Sequence, residues 1–257
     1  MKAKLIFLMI LLIGFSVLYG YQNNFFNLSS PTSLNDWDSE ITISHRFYGN
    51  IDHKPLDTFF GMDLGANTGL FYRKSVSHGA EVKLGYIREK NEYVFEGSYL
   101  CTPVDFAVQA QVAVQYFTFK ELSETDRRQN LLYSAAIQTH PIKNLIVLNM
   151  NAGYDGYYQR FINGFGIGII PAHAVTVQAE YFPTWDMKTA SDKLSQHMGE
   201  HDSFTLGIKL DTYGHQFAFM LGNSTAMSAR EMSLGSLEAS ALKFGFNIQR
   251  RFEHNGE

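Results

Sequence analysis

Cysteine is almost missing. Cys101 stands alone among 257 residues, so no disulfide can form within the chain, and an exported form must be held together by other means. Proline is scarce, with six residues in all. Charged residues make up 18%, below the roughly 25% of an average globular domain. The net charge of −4 offers nucleic acid no basic surface. Past residue 18 no apolar run approaches the ~20 residues that a spanning helix needs, which excludes a helical membrane bundle. Tryptophan is rare, at 2 residues, but Phe at 21 and Tyr at 14 are abundant. That weighting suits strands and membrane interfaces better than helices.

The N-terminus carries a targeting pattern. Lys2 and Lys4 precede a continuous apolar stretch from Leu5 to Leu18, followed by Tyr19, Gly20 and the polar run Tyr21-Gln22-Asn23-Asn24. This is the plan of a secretory signal peptide, with cleavage expected near Gly20. Leu18 is larger than the small residue usual two positions earlier, and an uncleaved anchor is the alternative. No cysteine lies nearby to take a lipid. The expected organisation is a signal peptide at 1–20, a polar N-terminal segment at 21–38, a β-barrel at 39–252 and a tail at 253–257.

Beyond residue 38 apolar and polar residues alternate, the mark of strands with two unlike faces. Phe204, Leu206, Ile208 and Leu210 share one face, with Thr205, Gly207 and Lys209 on the other. Val108, Ala110, Val112, Val114 and Tyr116 alternate with Gln109, Gln111, Ala113 and Gln115. Twelve such segments are expected, at 40–48, 61–74, 79–89, 92–102, 105–120, 130–139, 144–153, 160–170, 174–184, 203–211, 215–223 and 241–252. Most match the ~9–11 residues with which a tilted strand crosses a bilayer.

The connections alternate in length. Those at 75–78, 103–104, 140–143, 171–173 and 212–214 are tight, whereas 49–60, 121–129, 154–159, 185–202 and 224–240 are long, with 90–91 a short exception. Short periplasmic turns and long external loops alternate in this way in transmembrane barrels. Pro31, Pro55, Pro103, Pro141, Pro171 and Pro183 all fall at or beyond segment ends, as they must where every strand donates to two ladders.

The fold expected is therefore all-β, an antiparallel up-and-down transmembrane β-barrel of about twelve strands. Its apolar face meets lipid and its polar face lines a lumen. Arg46, Glu81, Lys83, Glu96, Glu180, Lys209 and Lys243 are the candidate lumen residues, where opposite charges can pair. Arg46 is the first candidate for controlling a pore, with structural pairing as the simpler reading. Tyr48, Phe71, Tyr72, Tyr116, Tyr181, Phe182, Trp185 and Phe252 read as interface girdles. A soluble β-sandwich or barrel is the alternative; long apolar faces with no helix to cover them count against it.

Several segments resemble a functionally uncharacterised family of outer-membrane β-barrels from Bacteroidota. They are Thr42-Ile43-Ser44-His45-Arg46-Phe47, Phe59-Phe60-Gly61-Met62-Asp63-Leu64-Gly65-Ala66-Asn67, the late hairpin from Ser203 to Ser224, and Phe244-Gly245-Phe246-Asn247-Ile248. The resemblance implies an outer-membrane barrel and no particular activity. The closing strand departs from the usual pattern, since Glu253 to Glu257 follow the last aromatic.

Three constellations could carry chemistry. His197-Met198-Gly199-Glu200-His201 fits the H-x-x-E-H pattern of zinc peptidases. Gly199 interrupts it within a polar loop, so a solvated loop is expected, with His197 and His201 as the only metal candidates. His201-Asp202-Ser203 sets a His and a Ser two apart at the start of a strand, as a lipid hydrolase could use; a polar strand start is the plainer reading. His45, Arg46, Asp63 and Asn67 lie near Gly61, Gly65 and Gly69, where bulges or bends are expected ahead of a ligand site. No catalytic residue, cofactor or bound metal is expected. The protein is expected to be an exported outer-membrane barrel, non-enzymatic, that meets lipid and passes or binds small solutes. A structural or accessory barrel with a filled lumen, or a lipid-acting envelope enzyme, are the alternatives.

Overall fold

The computed structural model describes residues 24–32, 34–52, 55–103, 106–120, 126–184 and 199–254. The expected signal peptide lies outside them. The described residues form twelve strands: β1 (Ser39–Asn50), β2 (Ala66–Ser77), β3 (Ala80–Ile87), β4 (Glu92–Leu100), β5 (Val108–Lys120), β6 (Arg127–Ile142), β7 (Ile146–Asp155), β8 (Arg160–Ala172), β9 (Val175–Phe182), β10 (Ser203–Thr212), β11 (His215–Gly222) and β12 (Lys243–Phe252). A one-turn helix, α1 (Ala229–Met232), sits between β11 and β12. Each strand pairs antiparallel with its sequence neighbours, and β1 pairs with β12, so the sheet closes on itself. Closure leaves no edge strand and satisfies the backbone within the wall.

Both ends of the sheet lie at one rim, the turn end, since Ser39 of β1 pairs with Phe252 of β12. The two-residue turns His78-Gly79 and Tyr213-Gly214 lie at this rim. Gly79 and Gly214 have φ of 80° and 72°, the left-handed conformation that tight hairpin turns require. The opposite rim, the loop end, carries the long connections 51–65, 183–202 and 223–242.

The strand faces divide as alternation predicts. Ile41, Ile43, Leu206, Ile208, Leu210 and Phe219 face outward and are exposed. Glu40, Ser44, Arg46, Gln111, Asn151, Glu180, Lys209 and Gln216 face inward and are buried. Among the described residues buried polar side chains outnumber buried apolar ones. That inverts the pattern of a water-soluble barrel and fits one bathed in lipid.

Several local expectations are corrected. The second segment was expected from residue 61, but β2 begins at Ala66. Phe59, Phe60, Gly61 and Gly65 all have positive φ and belong to the connection. Pro141 and Pro171 lie inside β6 and β8, one residue from their ends. The register slips at each, between Thr139 and Ile142 and between Ile169 and Ala172, because a proline cannot donate to the ladder. Two expected girdle aromatics point inward instead: Phe182 is fully buried, and Phe71 lines the lumen. Trp185 lies outside the described residues.

Candidate functional site: the occupied lumen

The interior is filled mainly by two inserted segments rather than by wall side chains alone. The first is the chain ahead of β1. It enters from the turn end, where Arg251 donates to the Asp38 carboxylate at 2.6 Å and the His254 amide donates to it at 2.7 Å. Further in, the Leu34 amide donates to Glu81 at 2.6 Å, and Arg73 donates to the Thr32 carbonyl at 3.4 Å. At its deepest point Glu180 accepts from the Asn27 amide at 2.9 Å, the Asn27 side chain at 2.8 Å and the Leu28 amide at 3.3 Å. Arg46 donates to the Asn27 carbonyl Oδ1 at 3.2 Å and to Asn247 at 2.8 Å. The Ser29 amide donates to Asn151 at 2.7 Å, while Asn149 and Asn151 donate to the Ser29 carbonyl at 3.1 and 2.8 Å. The segment then folds back, so that the Thr32 hydroxyl meets the Asn24 side chain at 2.6 Å.

Its apolar side chains fit the wall. Phe25 and Leu28 pack with Val147, Phe182 and Met232, and Phe26 packs with Ala218 and Met220. Space for them comes from inward glycines on β8. A Cβ on Gly166 would lie 2.4 Å from Phe25, and one on Gly164 would lie 2.5 Å from Leu28. Glycine is the residue expected where another chain presses against a strand.

The second inserted segment is the β11–β12 connection, which folds into the loop end. Arg230 of α1 is 1% exposed and forms ion pairs with Glu92 at the start of β4 and with Asp155 at the end of β7. Its guanidinium lies 4.1 Å from the Phe117 ring centroid and 5.4 Å from that of Phe119. The planar cation therefore has carboxylates as partners and aromatic faces beside it. Phe117, Phe119, Leu132 and Ile162 form an apolar lining around it. Asn67 donates to the Thr225 carbonyl at 3.0 Å, and Ser233 donates to the Asn163 carbonyl at 3.2 Å. The two inserted segments touch, since Met232 of the second packs with Phe25 and Leu28 of the first.

Between the inserted segments and the wall a cavity of about 150 Å³ remains, lined by Glu40, Arg73, Glu81, Lys83, Glu96, Gln111 and Gln115 among others. That is smaller than the ~300–1,000 Å³ of a typical small-molecule site. Lys83 pairs with Glu96 across β3 and β4 at 3.6 Å, and Arg73 pairs with Glu40 and Glu81, each at 3.4 Å.

The seven candidate lumen residues thus separate. Glu81, Lys83 and Glu96 border the cavity. Arg46 and Glu180 clasp the N-terminal segment, and Glu81 does so as well. Lys209 is 2% exposed, and its ammonium has no hydrogen-bond partner among the described residues. Lys243 is half-buried at the loop end of β12. The sequence offered no reason to single out Arg230, Glu92, Asp155 or Asn27, because none sits in a periodic pattern that reveals its partner.

Two of the three chemistry-bearing constellations are not assembled among the described residues, and the His197–His201 pattern falls partly outside them. His45 faces outward and stacks on Phe246 with centroids 4.6 Å apart, while Arg46 and Asn67 point inward and Asp63 lies exposed in the β1–β2 connection. His197 lies outside the described residues. His201 is exposed and joins Ser236 in a short bridge between the two long loops. Asp202 accepts from the Tyr181 hydroxyl and from Thr184, contacts that hold its carboxyl below the usual range. Ser203 is fully buried, and its hydroxyl has no hydrogen-bond partner among the described residues.

Residues 143–252 match the family model described as "Membrane bound beta barrel domain (DUF5777)". The match runs from the turn before β7 to the end of β12. No curated protein matched the chain. Among solved structures the chain is similar to KdgM porin, with a TM-score of 0.55 and 8% identity over 83% of this chain and 99% of that one. A KdgM porin in complex with disordered oligogalacturonate gives 0.55 and 7% over the same shares. The outer membrane protein Omp33 of Acinetobacter baumannii gives 0.48 and 10%, over 84% of this chain and 99% of that one. The closed sheet with its lipid-ready outer face, the family-model match and the likeness to KdgM porin make the chain a membrane β-barrel of twelve strands with a porin-like fold.

Proposed function

We propose that this is a non-enzymatic outer-membrane barrel that passes small solutes, held closed by two segments of its own chain. The observation that carries the reading is what fills the bore. An eight-stranded barrel is just filled by its wall side chains. Here twelve strands enclose enough room for two inserted stretches of polypeptide and a residual cavity. Withdrawing either stretch widens a route that is already polar. Both signs of charge face that route, with Glu40, Glu81 and Glu96 set among Arg73 and Lys83. Such a lining suits small neutral or zwitterionic solutes. The polyanionic oligogalacturonate named with KdgM is a poor match to it. Export through cleavage of residues 1–20 and seating in outer-membrane lipid complete the reading.

Liposome swelling tests it. The intact chain is expected to admit small neutral sugars slowly, and a variant lacking residues 24–32 to admit them freely. A folded deletion variant as impermeable as the intact chain would sink the passage reading. The second reading, a non-transporting barrel, draws on the buried Arg230–Glu92–Asp155 cluster, which ties the outer segment to the wall. Impermeability of both variants is what that reading expects.

A further inference from the structure

We propose that the inner wall of β1 and β7–β10 is a peptide-binding site, and that residues 24–32 are its tethered but exchangeable ligand. The ligand class is a short bent peptide with two apolar residues, an asparagine, an apolar residue and a small polar one, as in Phe25-Phe26-Asn27-Leu28-Ser29.

Three observations lead there. First, the segment adds no strand to the barrel. The sheet closes through β1 and β12 without it, so the wall does not depend on the segment for its backbone pairing. Second, the wall reads the segment as a binding site reads a ligand. Glu180 accepts from two main-chain amides, and Asn149 and Asn151 hold the amide and carbonyl of Ser29. These contacts need only a peptide backbone and do not require continuity with β1. Selectivity is added at Asn27, whose side chain donates to Glu180 and accepts from Arg46. It is added again by the niches over Gly164 and Gly166, which fit Leu28 and Phe25. Third, the segment is shaped by its own bonds. The Phe25 amide donates to the Ser30 hydroxyl at 3.1 Å, and Thr32 bonds back to Asn24. A peptide that holds its bound shape loses less entropy on binding.

The inference rests on and extends the proposed passage function, because release of the segment would open the bore and its return would close it. Binding alone reads it out, so it can fail while passage stands, and the reverse. The experiment uses the barrel lacking residues 24–32, in detergent micelles, and a fluorescently labelled synthetic peptide of residues 24–32, followed by anisotropy. Saturable binding at one peptide per barrel is expected. Asn27→Ala in the peptide, or Glu180→Ala in the barrel, should weaken it at least roughly tenfold, as loss of a charge-assisted hydrogen bond does. The intact chain, its site filled by the tethered segment, should bind the peptide far more weakly than the deleted barrel does. A folded barrel that takes this peptide no better than a scrambled one, or that ignores Glu180→Ala, overturns the proposal. Should the deletion prevent folding, the full chain carrying Asn27→Asp serves instead. Its wall is unchanged, and a carboxylate set against Glu180 disfavours the seated segment although Arg46 still faces it, so protease cleavage within 24–32 is used first to show that the segment has left. That variant must bind the wild-type peptide for the proposal to stand.

Discussion

Asn27 meets Glu180 through two bonds at once, its main-chain amide donating to one carboxylate oxygen at 2.9 Å and its side-chain amide to the other at 2.8 Å. A residue of the N-terminal segment is thereby fixed to the middle of the wall, 153 positions away in sequence. Glu180→Ala removes the acceptor for the amides of both Asn27 and Leu28. Each charge-assisted bond contributes about 1.5–3 kcal/mol. The segment should become open to protease while the barrel keeps its strand content by circular dichroism. Equal protease resistance in variant and parent would show that the clasp is not what holds the segment.

Arg230→Met should release the loop-end segment. Removing one partner of a buried ion cluster strands the others, at roughly 3–5 kcal/mol. Glu92 and Asp155 would be the stranded groups. Combining the change with Glu92→Gln and Asp155→Asn should restore much of the docking, since no charge is then left buried alone. Proteolytic cleavage within 223–242 measures both variants, and absence of rescue would argue against the electrostatic account.

Crowding gives an independent handle on the N-terminal segment. Gly166→Val would drive a side chain into Phe25, where even a Cβ comes within 2.4 Å. Overpacking costs about 1–3 kcal/mol. Faster solute entry in swelling assays is expected, with strand content unchanged by circular dichroism.

Neighbouring residues of β10 should respond in opposite ways. Ile208 is 45% exposed toward lipid, and Lys209 is 2% exposed inside. Ile208→Lys should destabilise the barrel by about 2–4 kcal/mol, the cost of a basic side chain near the bilayer midplane. Lys209→Met should be neutral or stabilising, because it removes a buried ammonium with no hydrogen-bond partner among the described residues. Urea-dependent unfolding in lipid vesicles would show a reversed order if the faces were assigned wrongly.

Acid should loosen the contact of Thr184 with Asp202 late. The Tyr181 hydroxyl and the Thr184 amide and hydroxyl favour the Asp202 carboxylate and lower its pKa. A lowered carboxyl pKa gives stability that is fully present above the unfolded value and lost as pH falls through the folded one. Hydrogen exchange at the Thr184 amide should stay slow at mildly acidic pH and quicken only below the usual carboxylate range. Loss of protection already near neutrality would contradict this.

The wall was legible because alternation and turn spacing are local signals that recur from strand to strand. What occupies the lumen was not, because a short segment held by side chains from distant strands has no period of its own. Two hints were nonetheless present. Asn163-Gly164-Phe165-Gly166-Ile167-Gly168 presents an inward file of glycines, the sign that something presses against β8. Phe117 and Phe119 fall on the inward face at the end of β5, where a polar lumen predicts otherwise. Arg230 left no such trace. Its importance comes from Glu92 and Asp155, which stand 138 and 75 positions away and meet it only once the barrel closes.

The contact of Met232 with Phe25 and Leu28 joins an element reached from the loop rim to one reached from the turn rim. Because they share this packing, the work of freeing either depends on whether the other is in place. Such coupling is reciprocal by thermodynamic necessity. A molecule that pulled on the outer loop would loosen the inner segment by the same factor as one that captured the inner segment would loosen the loop. Release of one segment would thus be felt by the other along the bore, without any strand of the wall having to move.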